Sequence, residues 1–318
     1  MKKIRAAVIG VGYLGKFHAE KYAGMEAVEL AGVVDTKAAR AEEIASHVGV
    51  KAFYDYRDLF GRVDAVSIAA PTPLHFEIGK GFLEQGIDVL MEKPITETIE
   101  QADVLIDLAE KKGLVLQIGH LERFNPAVKA VKELVNHPVF IESSRMSVYN
   151  ERGTDVSVVL DLMIHDIDII LNFVQSGIKY CHAMGASVVS DTVDIANAHI
   201  EFDNGTVAKV TASRIANKNE RKIRLFQKDG YISLDFANRS IVHVRPNGGK
   251  NNCLIPGMHM EEQCFTEGDA LEEEIKSFVR AVIHREQPEV SGPMGRDALK
   301  IALNIGRQIR ESHLRIKQ

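Results

Sequence analysis

The chain has 318 residues, of which 45% are hydrophobic and 26% charged, and its formal net charge is −5. This length allows two domains, and this composition is typical of an ordinary globular protein. The small negative charge, without a long basic run, argues against nucleic acid or an anionic membrane as a partner, and no apolar run is long enough to span a bilayer.

The N-terminal segment predicts a strand, a glycine-rich turn and a helix in direct succession. Residues 4–9 form an apolar run suited to a buried parallel strand, and Gly10-Val11-Gly12-Tyr13-Leu14-Gly15 leads into a helix over 16–23. Gly10 allows the tight turn, Gly12 lets a pyrophosphate approach the backbone, and Gly15 lets the helix pack on the strand. This fingerprint predicts a dinucleotide site, with cofactor contacts by Gly10, Gly12, Tyr13, Leu14 and Gly15.

A second predicted strand, over 28–34, ends in Asp35, about twenty residues beyond the last glycine, where a carboxylate reaches the ribose hydroxyls of adenosine. The charge of Asp35 favours NAD, because it would repel the 2′-phosphate of NADP. Lys37 and Arg40 lie close enough in the sequence to offset that charge, so NADP stays an alternative cofactor.

Strands and helices alternate to about residue 120, which predicts a doubly wound parallel sheet, a Rossmann domain over 1–120. Further helices are expected over 37–47, 74–85 and 98–112, and further strands over 64–70, 87–91 and 114–118. Ligands lie beyond the carboxyl ends of parallel strands. The residues expected at that edge of the sheet are Gly10, Asp35, Pro71, Glu92 and His120.

From about residue 138 the pattern has period two, which predicts an α+β domain over 121–318 with a large, mostly antiparallel open sheet. Asp203-Asn204-Gly205 and Lys228-Asp229-Gly230 are typical of hairpin turns. Residues 246–266 lack periodicity and are interpreted as a loop or an interface arm. A last helix over 294–311 is expected to pack back on the first domain. The strands are expected over 140–149, 195–202, 206–214, 221–227, 231–236 and 241–244.

The open sheet predicts an oligomeric state, and the cysteines predict a cellular compartment. An open sheet exposes a face that needs cover, so we expect a homodimer or homotetramer formed through the second sheet. The three cysteines, Cys181, Cys253 and Cys264, show no metal-ligand spacing. They predict reduced thiols in a cytoplasmic enzyme without a bound metal.

A helix predicted over 157–174 is apolar nearly all the way round, and such a helix is buried. Asp161, His165, Asp168 and Asn172 nevertheless form one polar stripe at helical spacing. Buried ionisable groups are costly unless they are paired or face a wet cavity. The stripe therefore predicts a substrate cleft, with His165 as a general base oriented by Asp161. A core ion pair is the alternative, and a metal site would need a third ligand.

Glu92-Lys93-Pro94 follows the strand predicted over 87–91 directly. Pro94 keeps Lys93 extended, so its ammonium is expected at the sheet edge, where it can stabilise an alkoxide as hydride leaves. Taken alone, a lysine before a proline at a strand end is more often a solvated surface residue.

Together these features resemble the family of glucose–fructose oxidoreductase and inositol dehydrogenase, over essentially the whole chain. The resemblance rests on the fingerprint, on Ala70-Pro71-Thr72 with His75, on Glu92-Lys93-Pro94 and on Asp161-x-x-x-His165. It implies NAD(P)-linked oxidation of a sugar or cyclitol alcohol, with Lys93, Asp161 and His165 as catalytic residues. The further cofactor contacts that it implies are Ala70, Pro71, Thr72, His75, Glu92 and Lys93.

The string Gly119-His120-Leu121-Glu122-Arg123-Phe124-Asn125-Pro126 narrows the substrate class. It is similar to the string of family members that oxidise the 3-hydroxyl of UDP-N-acetylglucosamine. Together with the polar stripe it predicts substrate contacts by His120, Arg123, Asn125 and Asp168, although Arg123 reads equally as an exposed charge at a helix start. Three alternative functions remain: an inositol or free-sugar dehydrogenase, a sugar-binding regulator without turnover, and a reductase of another substrate type, such as a tetrapyrrole.

Overall fold

The computed structural model describes residues 3–150, 156–246 and 255–316, and the chain divides into two compact units. The first unit comprises Met1–Leu121 and Asp269–Leu299, and the second comprises Glu122–Gly268 and Lys300–Gln318. Residues 269–299, which the sequence assigns to the second domain, therefore belong to the first unit. No helix of the described chain combines the length and the apolar character that crossing a membrane requires.

The first part of the chain alternates strands and helices as expected. Its strands are β1 (Ile4–Ile9), β2 (Val28–Val34), β3 (Lys51–Phe53), β4 (Ala65–Ile68), β5 (Asp88–Glu92) and β6 (Leu116–Gly119). Its α-helices are α1 (Gly15–Ala23), α2 (Ala38–Val48), α3 (His75–Glu84) and α4 (Ile99–Lys112). Short 3₁₀-helices span Tyr56–Leu59 and Thr72–Leu74.

The second part begins with a 3₁₀-helix over Leu121–Phe124, followed by α5 (Pro126–Leu134) and β7 (Phe140–Val148). A π-helix over Val159–Met163 continues directly into α6 (Ile164–Val174). The remaining strands are β8 (Ile178–Ala186), β9 (Ile195–Phe202), β10 (Val207–Ala216), β11 (Glu220–Gln227), β12 (Gly230–Asp235), β13 (Ser240–Pro246) and β14 (Met258–Cys264). The last helices are α7 (Ala270–His284) and α8 (Gly292–Ile316).

The sheet of the first unit has the order β3-β2-β1-β4-β5-β6, and every neighbouring pair is parallel. The order reverses between β1 and β4, which is the place where a doubly wound fold binds its ligand. All carboxyl ends lie at one edge because all strands are parallel. The predicted Rossmann fold is confirmed, and Gly10, Asp35 and His120 directly follow β1, β2 and β6.

The helix α7 completes the hydrophobic core of the first unit, although the sequence analysis predicted no helix there. Ile275 and Phe278 are fully buried in one cluster with Val8 and Tyr22. The helix begins with a capping aspartate, since Asp269 Oδ1 accepts hydrogen bonds from two backbone N–H groups of the first turn.

The second unit contains one sheet with the order β14-β13-β12-β11-β7-β10-β9-β8. Its neighbours are antiparallel except for the parallel pair β7–β10, and both predicted hairpins are present. The predicted mostly antiparallel sheet is confirmed. Both edge strands are additions: β8 was not predicted, and the expected loop over 246–266 contains β14, which pairs with β13. Residues 247–254 of that segment lie outside the described residues.

Candidate active site

Three glycines shape the turn between β1 and α1, each for a different physical reason. Gly10 has φ +84°, a left-handed conformation, and a Cβ there would lie 2.8 Å from the carbonyl oxygen of Ala69. A Cβ on Gly15 would come within 1.8 Å of the carbonyl oxygen of Gly10, so this glycine is required by the close contact of helix and strand. At Gly12 the nearest atom to a Cβ is a guanidinium nitrogen of Arg40 at 3.8 Å. The protein's own packing therefore leaves the backbone open at Gly12.

Asp35 ties this turn to the end of β2. Its Oδ2 accepts a hydrogen bond from the Val11 N–H at 3.2 Å, and its Oδ1 accepts one from the Lys37 N–H at 2.9 Å. The guanidinium of Arg40 lies 3.8 Å from the carboxylate. The carboxylate is thus held at the sheet edge with a cation beside it.

A cavity of about 240 Å³ opens next to Asp35. Its walls come from the carboxyl ends of β1 and β2, the segment after β3 and the segment after β4, and they are mainly apolar. Such walls suit a flat aromatic base, and the open backbone at Gly12 suits a pyrophosphate, so the residues present fit NAD. The lining residues are Ile9, Gly10, Val34, Asp35, Thr36, Tyr54, Asp55, Tyr56, Arg57, Ala70, Pro71, Leu74 and Ile78.

His75 joins the segments that follow β4 and β5. The ring is 1% exposed, with Nδ1 2.9 Å from the carbonyl oxygen of Pro94 and Nε2 2.8 Å from that of Ala70. A neutral imidazole carries one N–H and donates to one of these oxygens at a time. The observed contacts of His75 are therefore a brace between two segments of the sheet edge, and its predicted cofactor contact stays a prediction.

The remaining fingerprint and loop residues differ in exposure. Tyr13 is 65% exposed and meets Phe17 edge-on at 5.8 Å between ring centroids. Leu14 is half-buried at the start of α1, and Thr72 is half-buried in the 3₁₀-helix after β4. These positions leave the predicted cofactor contacts untested.

Glu92 and Lys93 lie at the end of β5. Glu92 is 8% exposed, and its Oε1 lies 3.1 Å from Nε2 of the buried His18. Lys93 is half-buried between Glu92 and the buried Pro94. His120, which follows β6, is 1% exposed, and its backbone N–H donates a hydrogen bond to the carbonyl oxygen of Ile118. His18 is absent from the predicted site residues, although its contact orients the Glu92 carboxylate.

In the second unit, Asp161 and His165 lie on either side of the junction between the π-helix and α6. Both are half-buried, whereas Met163 and Ile164 between them are fully buried. The prediction assumed one regular α-helix. The structure has an i→i+5 turn at Asp161, and such π turns occur frequently at functional sites.

Arg123 and Asp168 form a buried ion pair inside the second unit. Arg123 Nε lies 2.6 Å and Nη2 lies 2.8 Å from the two carboxylate oxygens of Asp168, and both side chains are at most 5% exposed. The alternative reading of Arg123 as an exposed charge is wrong, because the pair buries it against α6. This contact gives both residues a structural role, and their contact with substrate stays a prediction.

Asn125 caps α5. Its Oδ1 accepts a hydrogen bond from the Ala127 N–H at 3.1 Å, and its Nδ2 donates to the carbonyl oxygen of Phe236 at 3.1 Å. Both ends of the amide are thus engaged within the unit. Substrate contact by Asn125 also stays a prediction.

Arg145 links β7 to α6 in a second buried network that the sequence analysis missed. Its guanidinium lies 2.7 Å from Asp166 and 2.9 Å from Glu122. Burial opposes its charge, but the two carboxylates outweigh burial and raise the pKa of Arg145. Alternation along β7 places Ile141, Ser143 and Arg145 on the buried face. This alternation in the sequence could therefore have indicated that Arg145 is buried.

Comparison with known proteins identifies the family. The model of an oxidoreductase family with an NAD-binding Rossmann fold matches residues 4–120, and that of the GFO/IDH/MocA C-terminal domain matches 135–233. The chain is 38% identical over 306 residues to the UDP-N-acetylglucosamine 3-dehydrogenase of Acidithiobacillus ferrooxidans, which covers 96% of this chain and 97% of that protein. The chain belongs to the GFO/IDH/MocA oxidoreductase family.

A solved structure of the same enzyme and one further relative show how far this similarity extends. A solved structure of the Acidithiobacillus ferrooxidans enzyme in a P2₁ crystal has a TM-score of 0.93 at 37% identity, covering 97% of this chain and 98% of that one. The myo-inositol 2-dehydrogenase of Thermotoga maritima is 25% identical over 327 residues and covers 97% of each chain. The predicted family resemblance is confirmed, and the first unit is the NAD-binding domain of a GFO/IDH/MocA oxidoreductase.

The glycines of this domain give a matched pair of variants. We expect Gly12→Ala to fold normally but to bind NAD about tenfold more weakly or worse, because its methyl group occupies only the space left for the ligand. We expect Gly15→Ala to lose about 3 kcal/mol of stability, because its methyl group meets the Gly10 carbonyl. Thermal unfolding without NAD and a calorimetric titration with NAD measure the two effects. Equal destabilisation by both substitutions would contradict the distinct role of Gly12.

Proposed function

We propose that this chain oxidises the 3-hydroxyl of a UDP-N-acetylhexosamine, with UDP-N-acetylglucosamine as the first candidate, to a ketone. The observation that carries the proposal is the 38% identity, over 96% of the chain, to a relative named for that reaction. A lysine that follows β5, an aspartate in the π-helix and a histidine at the start of α6 supply the acid–base groups that such a reaction needs.

In the proposed mechanism, His165 takes the hydroxyl proton. Asp161 orients the imidazole and stabilises its charged form. Lys93 donates a hydrogen bond to the substrate oxygen and stabilises the negative charge that develops as the C–H bond breaks. NAD supplies the hydride acceptor when it is bound, so that one proton and one hydride leave the alcohol and a C=O bond remains.

The chain's own residues would hold the cofactor in a defined way. The backbone N–H groups from Gly10 to Gly15 would bind the pyrophosphate, and Asp35 would accept hydrogen bonds from the ribose hydroxyls. The apolar cavity that Ala70 and Pro71 help to line would take the adenine. Thr72, together with the contacts of His75 to Ala70 and Pro94, would help to hold the nicotinamide end.

The direct test is a substrate panel. The protein is mixed with NAD and, separately, with UDP-N-acetylglucosamine, UDP-N-acetylgalactosamine, UDP-glucose, myo-inositol and scyllo-inositol, and absorbance of reduced nicotinamide is followed. We expect turnover with a UDP-N-acetylhexosamine and a product lighter by two hydrogens. Turnover of inositols alone would favour the free-cyclitol alternative, for which the similarity to myo-inositol 2-dehydrogenase is the supporting observation. NAD and sugar binding without any turnover would favour a regulator.

We also propose that the protein works in the cytoplasm as a homodimer or homotetramer formed through the second sheet. Tyr180 and Met184 on the edge strand β8 are 54% and 56% exposed in the single chain, and a second copy packed on this strand would cover both. Cys181 and Cys264, the cysteines in the described residues, are free thiols. Light scattering after size exclusion gives the mass, and a monomer would contradict the assembly.

A further inference from the structure

Three ionisable side chains meet inside the first unit. They are His18 on α1, Glu92 at the end of β5 and Glu274 on α7, and they are 0%, 8% and 0% exposed. One ligand atom of each lies within 4.8 Å of those of the other two. None of the three comes from the same stretch of sequence, so the fold alone brings them together.

The Glu274 carboxylate is buried without compensation. Neither of its oxygens has a hydrogen-bond partner among the residues that the structure describes. Gln117 on β6 donates its side-chain N–H to the backbone carbonyl of Glu274 at 3.0 Å and not to the carboxylate. An ionised carboxylate in such a place is very costly, and the second carboxylate within 4.8 Å disfavours its charge further.

The titratable groups that face Glu274 are either engaged with other partners or acidic themselves. His18 and Tyr22 face it from α1, Glu92 faces it from β5, and Gln117 from β6 is neutral. The His18 ring is already engaged by Glu92 at 3.1 Å, and the Tyr22 hydroxyl is engaged by Ser67 at 2.8 Å. Burial, and then the neighbouring charge of Glu92, raise the pKa of the Glu274 carboxyl well above its usual range.

We propose that the Glu92–Glu274 pair holds one proton, located on Glu274, and that this pair together with His18 positions Lys93 for the reaction. The neutral Glu274 leaves the Glu92 carboxylate to its contact with His18. The inference rests on the proposed function only for the role of Lys93. The presence of that proton is a property of the first unit itself.

The carboxyl pair can position Lys93 because the two residues next to Lys93 in the chain, Glu92 and Pro94, are both held by buried contacts. On one side, the Glu92 carboxylate is enclosed by His18, by Glu274 and by the backbone of β6, where a Cβ on Gly119 would lie 2.9 Å from it. On the other side, the carbonyl oxygen of Pro94 lies 2.9 Å from the buried ring of His75. Two buried histidines thus hold the Glu92 side chain and the Pro94 backbone on either side of Lys93.

The first test needs no substrate. The folded protein binds the Glu274 proton more tightly than the unfolded chain does, so stability falls as pH rises above about 4.5, the usual value for a glutamate. Glu274→Gln keeps the shape of the neutral carboxyl and removes the titration. We therefore expect the thermal midpoint of Glu274→Gln to exceed that of the wild type increasingly as pH rises. Glu273→Gln, the same change at the half-exposed neighbour, is the control and should follow the wild type.

The second test measures whether Glu274 helps to position Lys93. We expect Glu274→Leu to lower kcat by about tenfold with an unchanged Kd for NAD, and Glu274→Gln to restore kcat to nearly the wild-type value. The wild type should also lose kcat at high pH, as the Glu274 proton leaves, and Glu274→Gln should lack that loss. A purely structural role of Glu274 would change stability without this difference between the two pH profiles.

Three results would overturn the proposal. A Glu274→Gln variant as inactive as Glu274→Leu would show that the carboxylate, and not the neutral carboxyl, is required. Parallel stability curves for the wild type and Glu274→Gln would show that the pair holds no such proton. One equivalent of divalent metal in the purified protein, lost in Glu274→Gln, would make the cluster a metal site. Absence of turnover with every sugar would instead contradict the proposed function and leave the stability curves interpretable.

Discussion

His165→Asn is expected to lower kcat by about a hundredfold or more while the Kd for NAD stays close to the wild-type value. Asparagine keeps a polar side chain of similar size, so α6 retains its packing, but it cannot accept the hydroxyl proton at neutral pH. His165 lies in the second unit, whereas the fingerprint turn and Asp35 lie in the first. Single-turnover kinetics with UDP-N-acetylglucosamine and a separate NAD titration measure the two effects independently.

The matched control for this variant is His137→Asn. His137 is an exposed histidine of the same unit with φ +48°, a left-handed conformation that asparagine tolerates well. We expect wild-type activity and wild-type stability from it. If His165→Asn lost stability and activity in proportion, as a core ion pair would predict, the catalytic role of His165 would be refuted.

Lys93→Met is expected to lower kcat by roughly a hundred- to a thousandfold. Methionine matches the length of the lysine stem but supplies no donor for the developing oxyanion. The flanking anchors at Glu92 and Pro94 do not involve the Lys93 ammonium, so the segment should keep its backbone conformation. A near-normal Kd for NAD with a strongly reduced kcat is the signature that we expect.

Lys111→Met provides the comparison for that measurement. Lys111 is exposed in the last turn of α4, in the same unit, and its replacement should leave kcat within about a factor of two of the wild type. A kcat for Lys93→Met within threefold of the wild type would leave the solvated-surface interpretation as the better account of this lysine.

Much of the first unit could be predicted because its strands, helices and glycine turn are indicated by short stretches of sequence. The glycine turn, the acid at the end of β2 and the alternation of apolar runs each depend on a few neighbouring residues, and all appear in the structure where the sequence indicates them. The helix α7 was missed although its local signals are present, since Asp269 caps it and Leu271, Ile275, Phe278 and Val282 recur at helical spacing on its buried face. What the sequence does not indicate is where this helix packs. Its core residues Ile275 and Phe278 pack against strands at the other end of the sequence, and no pattern within residues 270–284 indicates that partner.

In the candidate site too, short motifs could be predicted but contacts between residues far apart in the sequence could not. Lys93, Asp161 and His165 stand out from short motifs, whereas the contact between His18 and Glu92 joins residues 74 positions apart. The polar stripe was drawn with α-helical spacing, and a π turn at Asp161 is invisible to that spacing. Arg123 was interpreted without its partner Asp168, and only three-dimensional packing pairs a charge on a 3₁₀-helix with one on α6.

Because residues 269–299 belong to the first unit, cutting the chain at one point cannot separate the two units as intact fragments. Expression of a fragment ending at residue 121 would omit Leu271, Ile275 and Phe278 and leave their apolar counterparts uncovered. Such a truncation should aggregate and fail to capture NAD. A soluble nucleotide-binding piece would require a permuted gene that joins the segment carrying α7 to the N-terminal segment.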